Sequence, residues 1–95
     1  METKLEELYQ KKDMVHGKAA QILETQKVPS AMKNEYNNKV SQYDEMYENV
    51  ESMKLLSTNQ ETIDNLLKQQ LEILTVRINW ELGWMKNVLG YISKQ

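Results

Sequence analysis

Three runs of apolar residues organise the chain, each recurring every three or four positions, the spacing that gathers side chains on one stripe of a helix with 3.6 residues per turn. The first run is Leu5, Leu8, Tyr9, Val15, Ala19, Ile22 and Leu23. Thr3 and Glu6 stand at the S/T-x-x-E spacing in which each side chain takes the other residue's free backbone N–H, so the pattern predicts a helix over about residues 3–27. Gly17 lies inside it and weakens it by about 1 kcal/mol. The single proline, Pro29, biases Val28 away from helical angles, and Ser30 behind it is a good N-cap. These signals put the first break at residues 27–30.

The second run, Met32, Tyr36, Val40, Tyr43, Met46, Tyr47, Val50 and Met53, predicts a helix over 30–55. Its stripe is built from tyrosine and methionine and is half-polar. Glu35 and Lys39, like Glu7 and Lys11 before them, stand at i,i+4 and mark solvated faces. The polar cluster Ser57-Thr58-Asn59-Gln60-Glu61 ends the run. Either Ser57 with Gln60 or Thr58 with Glu61 offers a capping box for a third helix.

That third helix is predicted over 59–93 and carries a heptad-like seam of Leu67, Leu71, Leu74, Ile78, Met85, Val88 and Ile92, with Glu81 in the skipped place. A charge therefore sits on the seam. Leu66, Ile73, Trp80, Leu82, Trp84, Leu89 and Tyr91 spread apolar surface around more than half of the circumference, so this helix needs at least two neighbours. At 1.5 Å per residue it spans roughly 50 Å against roughly 36–38 Å for the others, and the excess must project or pack on another subunit. The fold class expected is all-α: one domain over 1–95, an antiparallel three-helix bundle or long helical hairpin with an extended C-terminal helix and coiled-coil-like packing.

Composition narrows the function classes. With 95 residues there is room for a single small core, and the absence of Phe together with three Gly and one Pro argues against a sandwich or barrel. Twelve basic and fourteen acidic residues leave a net charge of -2, which provides no field for nucleic acid or anionic lipid. The lack of cysteine removes disulfides, thiolate metal sites and thiol nucleophiles, and fits a reducing compartment. With no signal-peptide pattern and no apolar run long enough to span a bilayer, the chain is read as cytoplasmic and not inserted in a membrane.

The motifs that resemble chemistry are short of partners. Asp13 and His16 share a helix face at D-x-x-H spacing, but a bundle metal site needs further carboxylates and a second histidine, which only a symmetric dimer would supply. Ser30-Ala31-Met32-Lys33 spells S-x-x-K with none of the elements that make that serine a nucleophile. Gly17, Gly83 and Gly90 are isolated and form no phosphate loop. No catalytic, cofactor or metal residues are assigned, and no enzyme is expected.

The stretch 73–93 is the informative one, since it holds both tryptophans one turn apart. Tryptophan, tyrosine and methionine are enriched at the energetic centres of interfaces, so Trp80, Trp84, Met85, Leu89 and Tyr91 are expected to offer an apolar face to a partner protein. Arg77 and Glu81, one turn apart, complete the predicted partner-binding set as an ion pair that fixes register. The function expected is a small helical protein–protein interaction module, an adaptor, inhibitor or escort chaperone that also self-associates as a homodimer or larger oligomer. The alternatives are a structural coiled-coil subunit of a homo-oligomer and, behind it, a dimeric metal-binding bundle around Asp13 and His16.

Overall fold

Each apolar run forms a helix in the computed structural model, which describes residues 2–94 apart from the side chain of Glu2. The helices are α1 (Glu2–Thr25), α2 (Ser30–Leu56) and α3 (Gln60–Ser93). Where the boundaries differ from expectation, backbone geometry is the reason. α1 already runs at Glu2, so Thr3 is inside the helix and does not cap it. Ser30 is the first residue of α2, and the cap position belongs to Pro29, whose ring fixes φ at -55° and whose carbonyl accepts the first helical N–H, from Lys33, at 3.0 Å. Neither Ser57 nor Thr58 caps α3. Asn59 does, with extended backbone (φ -88°, ψ 122°) and a side-chain oxygen that accepts from the backbone N–H of Glu61 at 2.9 Å and of Thr62 at 3.3 Å. The Ser57 hydroxyl instead donates back to the Met53 carbonyl.

The architecture is a three-helix bundle in which α3 packs against both α1 and α2. Arg77 meets Asp44, Gln70 meets Glu51 and Glu81 meets Tyr36, so numbers rise on α2 as they fall on α3 and the two run antiparallel. His16 lies level with Glu81, whereas Tyr9 and Lys12 border one hollow with Leu74 and Arg77, which makes α1 parallel to α3. At about 51 Å for 34 residues, α3 runs nearly the full 54 Å length of a molecule 22 by 16 Å in its other dimensions. Residues 57–59 turn the chain back so that α3 runs along α2.

The predicted seam is the interior. Val15 and Ala19 of α1, Tyr36 and Val40 of α2, and Ile78, Trp84, Met85 and Val88 of α3 form one apolar cluster, with Ile22, Leu23, Val28 and Ile92 packed on it at the end where α1 turns into α2. Val50, Leu66, Leu67 and Leu74 are buried farther along α2 and α3. No helix among the described residues is long and apolar enough to cross a membrane.

Candidate functional site

Between these apolar regions the interior turns polar. Glu81 is fully buried in α3. Its Oε1 accepts the Tyr36 hydroxyl at 2.5 Å, and the His16 Nδ1 lies 2.8 Å from the same hydroxyl and 3.4 Å from the carboxylate. One phenolic hydrogen cannot serve two acceptors; with Glu81 taking it, His16 Nδ1–H is the donor to the tyrosine oxygen. Arg77, one turn earlier, hydrogen-bonds Asp44 through Nη1, while its Nε faces Glu81 Oε2 at 3.5 Å, an ion pair without a hydrogen bond that leaves both atoms buried and otherwise unpartnered. Burial, followed by the hydrogen bond and the negative charge of Glu81, pushes the Tyr36 hydroxyl well above its ordinary pKa. It stays protonated and remains a donor.

A second polar layer lies along the same two helices. The amide of Gln70, also fully buried, donates to Glu51 at 2.5 Å and accepts from Lys54 at 2.8 Å. The Gln70 hydrogen bond holds the Glu51 carboxyl below the usual carboxylate range against the opposing effect of burial, and Lys54 adds to it in the same direction. Both layers fix register.

The D-x-x-H spacing leads elsewhere than to a metal. Asp13 pairs with Lys12 at 2.7 Å, His16 turns to Tyr36 and Glu81, and among the described residues no three His, Cys, Asp or Glu side chains converge as ligands. Arg77 beside Glu81 further opposes a cation there.

The predicted partner-binding residues fall into two groups. Arg77, Glu81, Trp84 and Met85 are in the interior, where the Trp84 indole donates to the Met32 carbonyl at 3.1 Å and packs against Tyr36 with the rings tilted by 40° and their centroids 4.5 Å apart. A surface partner does not reach them in this state. Trp80 is half-buried between Tyr36 and Tyr43, and Leu89 and Tyr91 are 47% and 45% exposed. The pairing of Arg77 with Glu81 is within one helix.

Sequence patterns do not single out an apolar groove on the other flank. On the flank of the α2–α3 hairpin that α1 does not reach, a groove of about 440 Å³ runs between Tyr43, Met46 and Val50 on one wall and Ile73 and Val76 on the other. Its rims are the amides of Asn49 and Gln69 and one carboxylate, Glu72. Met46 and Val76 are half-exposed, at 49% and 48%. The soft Tyr/Met stripe of the second run and the apolar flank of the third are its signature, which becomes readable only once α1 is known to lie on the opposite side. Comparison with protein-family models, with curated proteins and with solved structures gives no match, so the functional reading rests on this geometry.

Proposed function

We propose that the chain is a protein–protein interaction module without a catalytic role, and that the α2–α3 groove is its acceptor for an amphipathic helical surface. The open groove carries this reading: an apolar floor with adaptable methionine and aromatic walls, no α1 residue across it, and rims that bear a single charge. Half-buried Trp80 lies against Tyr43 and extends the apolar surface along α3. Adaptor, inhibitor and escort chaperone are all jobs that such a groove performs.

A second reading places docking at the C-terminal turns of α3, and is favoured by the exposure of Leu82, Leu89 and Tyr91. One experiment separates the two. Immobilised wild type, Val76→Glu and Leu89→Glu are incubated with extract of the source cell, and bound chains, including the protein's own, are quantified by mass spectrometry. The groove reading expects a chain held by wild type and Leu89→Glu and lost from Val76→Glu. Loss on Leu89→Glu alone moves the site to the C-terminal turns, and an identical bound set on all three baits ends both readings.

A further inference from the structure

We infer that α1 is a detachable cover: in the native chain it lifts as a unit from α3 while α2 and α3 stay joined. Arg77, Glu81 and Met85, sealed from a surface partner while α1 is docked, become reachable from its empty seat. The inference concerns the closed flank and stands apart from the groove reading.

Polar groups under α1 favour its departure. Arg77 Nε and Glu81 Oε2 face each other at 3.5 Å without a hydrogen bond, and both are buried with no other partner. α1 roofs them: His16 lies 3.4 Å from the Glu81 carboxylate, and Tyr9 and Lys12 border the hollow that Arg77 lines. Lys12 is itself buried and pairs with Asp13 of its own helix, a pair that leaves with α1 intact. A buried charge short of hydrogen bonds is costly, and water supplies the missing ones. Lifting α1 hydrates all three groups at once.

The ties between helices differ in the same sense. α2 holds α3 through Tyr36 to Glu81, Asp44 to Arg77, Glu51 and Lys54 to Gln70, and the Met32 carbonyl to the Trp84 indole. Against that set α1 brings His16, whose hydrogen bond goes to the Tyr36 hydroxyl and whose side chain is already 44% exposed. Removing α2 would strand the buried polar partners on α3, whereas removing α1 leaves those ties in place.

The apolar stripe of α1, Leu8, Val15, Ala19, Ile22 and Leu23, supplies the closing force, so the docked state is the populated one. Residues 26–29 keep the lifted helix tethered beside its seat.

Native-state hydrogen exchange of the full chain, read by NMR at rising urea below the unfolding transition, tests the inference. The amides of residues 8–22 are expected to exchange through one shared opening, at least about tenfold more frequent than the openings that expose 40–50 in α2 and 74–88 in α3. That opening should have the shallower urea dependence of a partial exposure of surface. The Trp84 indole N–H, bound to α2, stays with the slow set. In the double variant Arg77→Met, Glu81→Leu no charge pair is left to hydrate, and the α1 amides should exchange at least about threefold more slowly than in wild type. One rate and one slope for all three helices overturns the inference. So does protection that rises gradually from the start of α1, which is fraying, and so does an opening of α2 ahead of α1. In a double variant that keeps its helical circular dichroism, α1 exchange no slower than in wild type overturns it too, because the pair is then not what opens the seat. If that variant does not fold, the wild-type pattern decides by itself.

Discussion

The α2–α3 hairpin is closed by α1 on one flank and open on the other, and the flanks differ in chemistry as well as in cover. Toward the closed flank, polar side chains are drawn into the interior and tied to fixed partners: Tyr36 to Glu81 and His16, Arg77 to Asp44, Gln70 to Glu51 and Lys54. Each tie admits one register. Sliding α2 along α3 by a turn would strand Gln70 or Glu81 without a partner, at about 1–3 kcal/mol for each stranded group and more where it is charged. The open flank has no such ties. Tyr43, Met46, Ile73 and Val76 accept any apolar surface of suitable shape, and that surface need not be in one register. Polar layers fix the register of α2 on α3, with His16 joining from α1, and their absence leaves the second flank adaptable.

The most severe way to break this contrast is to remove the cation of the closed flank. Arg77→Ala leaves the fully buried Glu81 carboxylate unpaired and is expected to lower stability by about 3–5 kcal/mol, read as a fall in the midpoint of thermal unfolding. Adding Glu81→Leu to that variant should recover most of the loss, since an apolar replacement of a buried pair is often neutral. A loss below about 1 kcal/mol in the single variant would show that charge pairing does not hold the closed flank.

Tyr36→Phe probes the same network more gently, with an expected cost of about 1–3 kcal/mol from the acceptor left unsatisfied on Glu81. It also carries a pH signature. The folded chain holds the Tyr36 hydroxyl above its ordinary pKa, so folding favours the protonated phenol; that stabilisation is whole below about pH 10 and decays as the pH rises further. In urea titrations run from neutral to strongly alkaline pH, wild type should lose stability steeply above about pH 10. The Phe variant should keep only the shallower decline from Tyr47, whose hydroxyl burial also pushes up. Equal slopes in the two chains would rule out a buried Tyr36 hydroxyl.

How much of the fold can be read in the chain depends on what periodicity reports. Spacing of three and four says which residues share a helix face, and the seam from Leu67 to Ile92 is accordingly the interior of α3, with Glu81 on it and Arg77 supplying its counter-charge. Spacing does not say which of several adjacent polar residues reaches inward. Asp13 and His16 share a face, yet only His16 joins the buried network. Nor does it order the faces around a helix with two neighbours: Trp84 is sealed against Tyr36 while Trp80, four residues earlier, is half-buried beside Tyr43. The groove is hidden for the same reason, since its exposure depends on where α1 lies. Caps show the limit most sharply, because Ser57, Thr58 and Asn59 all have capping chemistry and only backbone geometry chooses among them. Asn59→Ala should cost about 1 kcal/mol in chemical denaturation, and Ser57→Ala and Thr58→Ala a few tenths at most. Equal losses at the three positions would mean the helix start is shared.

The finest test applies one truncation to both flanks. Val88 is fully buried in the α1-covered cluster and Val76 is 48% exposed on the groove wall. Val88→Ala removes two methyl groups from a packed interior and is expected to cost about 2 kcal/mol, transfer and residual cavity together. Val76→Ala removes the same atoms from a wall that water already wets, and alanine's better helix propensity returns a few tenths of a kcal/mol, so the change should stay within about 0.5 kcal/mol and can be favourable. The measurement is urea unfolding followed by circular dichroism at dilutions where the chain is monomeric, so that groove burial by any second chain does not enter. A loss above about 1 kcal/mol at Val76 under those conditions would mean that the single chain already covers its groove, and the two flanks would no longer differ in the way that makes one of them free to bind.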